Sequence, residues 1–218
     1  GLAEGKITPN TTVFDPGFWI LPGTTQRYRD WKKSGHGSTN VNKAITESSD
    51  TFFYQLAYDT GIDKMSEWMT KFGFGQKTGI DLFEESAGVY PTRDWKRARY
   101  KKPWVQGDTI PVGIGQGYWI ATPLQVAKAL AVLVNNGRVN TPHLMKEIIH
   151  ANSVEPYKDP VLYEDITGVP ERFWNVAKLG MYNVINAGNG TGKKAGGSFY
   201  RAAGKSGTAQ VFNLKGGK

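Results

Sequence analysis

Arg201-Ala202-Ala203-Gly204-Lys205-Ser206-Gly207-Thr208-Ala209-Gln210-Val211-Phe212 reads as a strand with a cation, a hydroxyl, a glycine and a second hydroxyl at its middle. Alternate side chains of an extended chain point the same way, so the spacing puts Lys205 and Gly207 on one face and Ser206 and Thr208 on the other. Glycine at 207 leaves room beside Lys205 for a ligand to lie along the backbone. The pattern suits an extended substrate that carries an anionic group. A Lys-Ser-Gly triplet also occurs in ordinary turns, and other parts of the chain must decide between the two.

Just before this stretch, Asn189-Gly190-Thr191-Gly192 makes a Gly-rich turn. Residues 171–185 carry a helical period, with Phe173, Val176, Ala177, Met181 and Val184 inward. Strands are expected through 138–141 and 144–150. Thr122, Pro123 and Gln125 form a helix start: a cap, a proline at the first helical position and a capping-box partner. Leu124, Ala127, Leu130, Ala131 and Val134 read as that helix's buried stripe. The glycines of Gly113-Ile114-Gly115-Gln116-Gly117 lack dinucleotide-fingerprint spacing, and they suit close passage of the backbone past another element.

Two helical faces lie between 40 and 61, the first on Val41, Ala44 and Ile45, the second on Phe52, Phe53, Leu56 and Ala57. Ser48-Ser49-Asp50 separates them and predicts a tight joint, since Ser and Asp oxygens accept from free N–H groups at a helix start. The trio reads either as a cap or as a joint whose alternate side chains face one cleft. Gly61 is a stop, and a short helix with Met65, Trp68, Met69 and Phe72 inward follows to Gly73. Nearer the N-terminus, Phe14-Asp15-Pro16-Gly17 is a turn flanked by short strands. Asp15, Asp30 and His36 could hold a metal with a further ligand, or be a turn Asp, a second Asp and a surface His.

With 218 residues, 39% hydrophobic content and 27 glycines, the sequence predicts a loop-rich single domain or part of a larger one. No run approaches the ~18 consecutive apolar residues of a membrane span. The absence of cysteine excludes disulfides, thiolate metal sites and a Cys nucleophile, and it fits a periplasmic location. A net charge of +8 favours anionic partners. Residues 93–104, within an irregular region expected from 74 to 111, interleave basic and aromatic side chains. They read as a solvated basic loop or as a module that binds an anionic polymer.

The Ser48-Ser49-Asp50 joint and Lys205-Ser206-Gly207-Thr208, with the intervening Gly113–117 and Ala121–Gln125 stretches, resemble two of the three signatures of the penicillin-recognising serine acyltransferases. Phe14-Asp15-Pro16-Gly17, Tyr28-Arg29-Asp30-Trp31, Gly35-His36-Gly37 and Asp50-Thr51-Phe52-Phe53-Tyr54-Gln55 narrow the resemblance to the penicillin-binding protein 2 family, the class B transpeptidases of rod-shape elongation. It extends over essentially the whole chain.

The resemblance implies an α/β (α+β) fold, an antiparallel sheet flanked by helices in the β-lactamase-like three-layer arrangement, with residues 1–218 as an incomplete part of one transpeptidase domain. It implies a peptidoglycan D,D-transpeptidase that cross-links stem peptides through a serine acyl-enzyme and is a target of β-lactams. Catalytic roles fall on Ser48, Asp50 and Lys205, and substrate-carboxylate and oxyanion contacts on Ser206, Gly207 and Thr208. Asp50 stands where many relatives have Asn. The family nucleophile lies in a Ser-x-x-Lys motif that this sequence does not contain. The motif is expected before Gly1 and the last sheet strands after the end, so the segment alone is expected to be inactive.

No cofactor is expected for catalysis. Relatives can carry a structural zinc on two Asp, a His and a Cys, which map to Asp15, Asp30 and His36, with Ser49 in the Cys position; neutral serine is a poor zinc ligand. The resemblance also implies elongation-complex glycosyltransferase and scaffold partners, no nucleic acid, and a periplasmic domain on a single-pass inner-membrane anchor.

Overall fold

A computed structural model describes residues 1–158 and 160–209. Gln210, Val211 and Phe212, the end of the stretch read above as a strand, lie outside the described residues. The architecture is mixed α/β with antiparallel ladders, in agreement with the expected fold class.

Strand β1 (Thr12–Asp15) pairs with β4 (Gly37–Asn40), placing Asp15 opposite Gly37. Strand β2 (Phe18–Ile20) pairs with β3 (Arg27–Arg29). The expected turn at Pro16-Gly17 therefore carries the chain from one ladder to the other, and Gly17 takes φ 96°, which a side chain would resist. Helix α1 (Val41–Glu47) starts on Asn40, whose side chain accepts from Lys43 N, and it ends at Ser48 in the left-handed conformation. Ser49 then caps α2 (Asp50–Lys71) by accepting from Phe52 N. The expected joint between two helices is present. Gly61, at φ 74° and ψ 158°, is non-helical and breaks α2 at a kink into two helical pieces, as the expected stop and following short helix require.

The region expected to be irregular from 74 to 111 contains two helices, α3 (Arg93–Tyr100) and α4 (Gln106–Val112). Helix α3 forms because Thr92 accepts from Trp95 N, Asp94 sits in the first turn and Arg97 and Arg99 in the last, matching the helix dipole. Helix α5 (Pro123–Val134) has the expected cap, proline and Thr122–Gln125 capping box. Its buried face is displaced from the expected stripe. Gln125, Lys128, Ala129 and Val132 are buried, whereas Leu130 and Val134 are exposed. Polar side chains occupy the inner face because they meet free carbonyls there: Gln125 donates to Gln76 O and Ala87 O, both at 2.7 Å, and Lys128 to Thr78 O at 2.9 Å.

No strand forms at 138–141. Val139 N donates instead to Asp165 Oδ1 at 2.7 Å, and Leu144 N and Met145 N both donate to Asp81. Only β5 (Glu147–His150) of the expected second strand forms, in a hairpin with β6 (Ser153–Pro156). Helix α6 (Glu171–Asn186) lies where the period predicted, and it buries Trp174, Gly180, Val184 and Ile185. It packs on α1 at Gly180, where an added Cβ would stand 2.9 Å from the Ile45 Cβ. Gly113 allows a similar approach to α2, 2.5 Å from the Ala57 Cβ.

The core around α2 gathers Ile62, Met65, Phe74, Tyr90, Trp104 and Val112 on one side. Val41, Ala44 and Phe52 form another cluster and Trp19, Tyr54 and Ile110 a third. Each large side chain so buried contributes about 1.5–3 kcal/mol by leaving water, and together they fix the start of α2, which carries the joint. No helix among the described residues is long and apolar enough to cross a membrane.

Candidate active site

Three segments meet at the α1–α2 joint. Lys205 Nζ donates to Ser48 Oγ at 2.7 Å, across 157 positions of sequence. The same ammonium reaches Ser206 O at 2.9 Å and Ser206 Oγ at 3.3 Å. Lys205 thus folds back on Ser206, and the two do not keep to opposite faces as a regular strand would require. Among the described residues, 201–209 pair with no strand; their backbone partners belong to the end of α6, with Gly204 N donating to Met181 O at 3.0 Å and Asn186 Nδ2 to Ala202 O at 2.8 Å. Gly207 has open space where a Cβ would stand, and Thr208 is exposed beside it.

The Gly-rich turn before this stretch ties it to α1. Thr191 Oγ1 and Ser206 Oγ lie 2.9 Å apart, while Thr191 N donates to Thr46 O at 3.3 Å. Asn189 Nδ2 donates to Glu47 Oε1 at 2.6 Å. The sequence reading gives Glu47, Asn189 and Thr191 no role in the site, although it marks 189–192 as a Gly-rich turn. Polar residues alternating with glycine at 189–192 were the available signal, but Asn189 and Glu47 are 142 positions apart and no local pattern joins them.

Asp50 opens α2, and its Oδ2 accepts from Trp31 N at 3.2 Å. Burial and the nearby Asp30 carboxylate push its pKa up to about 6, against the opposing pull of the Trp31 N–H and Lys205. Partial burial holds the Lys205 ammonium below its ordinary value, and Asp50 works against that shift. A lysine so placed yields a proton more readily than one in water.

Asp15, Asp30 and His36 come together under the joint. His36 Nδ1 is 2.6 Å from Asp15 Oδ2 and 3.6 Å from Asp30 Oδ1, with all three side chains removed from solvent. Candidate ligand atoms from the three lie within 4.8 Å of one another. Ser49 Oγ stands at the fourth side, 3.1 Å from Asp15 Oδ2 and 3.3 Å from Asp30 Oδ2. Burial raises the Asp15 pKa, but His36, the Gly17 N–H at 2.7 Å and other donors outweigh it, and the carboxyl is held below its ordinary value. Two buried carboxylates facing one imidazole suit a divalent cation bound through oxygen and nitrogen, with a hydroxyl as the weak fourth donor.

Residues 93–104 present exposed Arg93, Arg97 and Arg99, but Lys96 is buried against Asp108 at 2.5 Å. The segment's first eight residues, Arg93–Tyr100, are a packed helix and not a loop, while 101–104 are non-helical.

The transpeptidase domain of penicillin-binding proteins matches the chain over residues 1–218. The chain belongs to that transpeptidase family. Within the family it is 67% identical over 213 residues to the peptidoglycan D,D-transpeptidase MrdA of Haemophilus influenzae, which covers 97% of this chain and 33% of that protein. The fold is similar to penicillin-binding protein 2 of Pseudomonas aeruginosa in complex with WCK 5153, with TM-score 0.88 and 42% identity over 96% of this chain and 47% of that one. It is also similar to penicillin-binding protein 2 of Helicobacter pylori in complex with MreC, with TM-score 0.80 and 37% identity, covering 96% of this chain and 39% of that one. The chain spans about a third of the length of the curated transpeptidases it matches.

Proposed function

We propose that this chain is part of one transpeptidase domain, in a longer protein that cross-links peptidoglycan stem peptides during rod-shape elongation and is acylated by β-lactams. The observation that carries the reading is the 2.7 Å hydrogen bond from Lys205 to Ser48. It joins a cation on the late Lys-Ser-Gly stretch to a hydroxyl at a helix joint, which is what a serine acyl transfer needs on one wall of its cleft.

In the proposed reaction a serine of a Ser-x-x-Lys motif in the longer protein attacks the carbonyl between two D-alanines. The C–N bond breaks, and the departing amine takes a proton that Ser48 relays. An amine of a second stem then attacks the ester, the new amide forms and the serine regains its proton. Lys205 supplies positive charge to the relay and to the substrate carboxylate. Ser206 and Thr208 hold that carboxylate through their hydroxyls, open Gly207 lets the peptide lie close, and the Thr208 N–H faces the developing oxyanion. Asp50 acts as counter-ion to Lys205.

Asp15, Asp30 and His36 are the residues that would hold a structural zinc, with Ser49 a weak fourth donor. When bound, such an ion would neutralise the buried carboxylates beneath the joint. We place the domain in the periplasm on an inner-membrane anchor, with a glycosyltransferase and a scaffold protein as partners. The complex of the similar Helicobacter pylori protein with MreC supports a protein partner of this kind. The test is a fluorescent penicillin applied to the longer protein that includes Ser-x-x-Lys. Covalent labelling that Lys205→Ala suppresses is expected, and a folded protein that takes no label would sink the reading.

A further inference from the structure

Glu47 has no part in the chemistry described above, yet it touches both halves of the site. Its Oε2 lies 3.9 Å from His36 Nε2, and its Oε1 accepts from Asn189 Nδ2 at 2.6 Å. His36 Nε2 is fully buried and has no hydrogen-bond partner among the described residues. A buried ring nitrogen without a partner is uncommon, because the lost hydration is not replaced. The opposite nitrogen, Nδ1, lies at hydrogen-bonding distance from Asp15 Oδ2, 2.6 Å away. Trp31 packs its edge on the imidazole with ring centres 5.6 Å apart, and it closes that side of the ring. His36 and Glu47 both line a cavity of about 340 Å³, together with Trp31, Lys32, Asn189 and Lys193.

We infer that Glu47 is a positioning residue for a cation held by Asp15, Asp30 and His36, accepting the proton of His36 Nε2 when Nδ1 turns its lone pair to the metal. The inference rests on the cation reading of that triad. An imidazole that ligates through Nδ1 must give up any Nδ1 proton to solvent and carry its remaining proton on Nε2. A carboxylate at that second nitrogen fixes the tautomer and raises the basicity of the ligand. Glu47 is the acidic group placed for this, and a rotation that shortens 3.9 Å to hydrogen-bonding distance completes the contact. Asn189 keeps the other oxygen engaged, so the carboxylate stays anchored as it turns. Because the 189–192 turn also holds Ser206 through Thr191, the position of Glu47 is linked to the Lys205 stretch by two hydrogen bonds.

The experiment measures zinc affinity by competition with a chromophoric chelator, for the longer protein and its Glu47→Gln and Glu47→Ala variants, each checked for folding by circular dichroism. Loss of such a partner typically weakens metal affinity about 10–100-fold, and Glu47→Ala should show a loss in that range with Glu47→Gln between it and the unmodified protein. Nitrogen-15 shifts of His36 in the zinc-loaded protein should report the Nε2–H tautomer. An unmodified protein that binds no zinc overturns the cation reading and this inference together. Tight zinc binding that neither variant weakens overturns the role of Glu47 alone.

Discussion

Gly17 and Gly35 are packed back to back. A Cβ on Gly35 would collide with Asp15 O and stand 2.5 Å from Gly17 N, and one on Gly17 would collide with Lys33 O. This contact brings the end of β1 onto the loop before β4 and so sets Asp15 beside His36. Both glycines have positive φ, 96° and 72°. Gly35→Ala adds a left-handed penalty of about 1–2 kcal/mol to an overpacking cost of about 1–3 kcal/mol. Gly37→Ala, at φ 67° with nothing within 4 Å of its Cβ, meets only the backbone penalty. Denaturant melts should therefore show the larger loss at position 35, and zinc affinity should fall with it. Equal losses at the two positions would remove the packing argument.

Lys205→Ala deletes the cation at Ser48 while leaving the α1–α2 joint intact. General acid–base groups contribute about 10²–10⁴ in rate, so acylation of the longer protein by fluorescent penicillin should slow by that order. Its melting temperature should barely change, because the residues around Lys205 are mostly exposed and the substitution removes only its contacts with Ser48 and Ser206. Thr191→Ala tests the support of that stretch: it removes the 2.9 Å contact with Ser206 and should weaken labelling less than Lys205→Ala does.

Local chemistry was readable where neighbours in sequence decide it. Ser48-Ser49-Asp50 makes its joint from its own hydroxyls, and Thr122-Pro123-x-Gln125 starts α5 with its own side chains. Reading failed where distant partners decide. Gln125 and Lys128 look like an outer face until carbonyls at 76, 78 and 87 come to meet them. The Lys205 stretch looks like a strand by alternation, but among the described residues its backbone partners are the end of a helix. Glu47 and Asn189 could not be paired by any short-range rule.

Asp50 gives stability a pH dependence of defined sign. Its carboxyl titrates at 3.8 when unfolded and at about 6 in place. Between those values the folded state holds a proton that the unfolded state has lost, so the folded state binds more protons and its stability falls as pH rises. The contribution is complete below about pH 4 and gone above about pH 6. Asp50→Asn removes the titrating group, and the difference in melting temperature between pH 4 and pH 6.5 should shrink. An unchanged difference would assign the slope to other groups.

Lys96 and Asp108 join α3 to α4 by a 2.5 Å contact that is almost fully buried, with the Lys96 ammonium also 5.8 Å from the Trp104 ring centre. Asp108 caps α4 as well, accepting from Val105 N at 2.8 Å. Removing one member of a buried ion pair leaves an uncompensated charge and costs about 3–5 kcal/mol, so Lys96→Ala should be strongly destabilising. Lys96→Met with Asp108→Asn leaves no buried charge and keeps an acceptor for Val105 N, so it should recover much of that loss. Arg97→Ala, on the exposed face, should stay within about 0.5 kcal/mol of the unmodified protein. Because α4 buries Ile110 and Val112 against the helix that carries Asp50, the loss at Lys96 should also lower penicillin labelling. If all three substitutions had equally small effects, residues 93–104 would behave as a solvated basic segment and not as a brace behind the cleft.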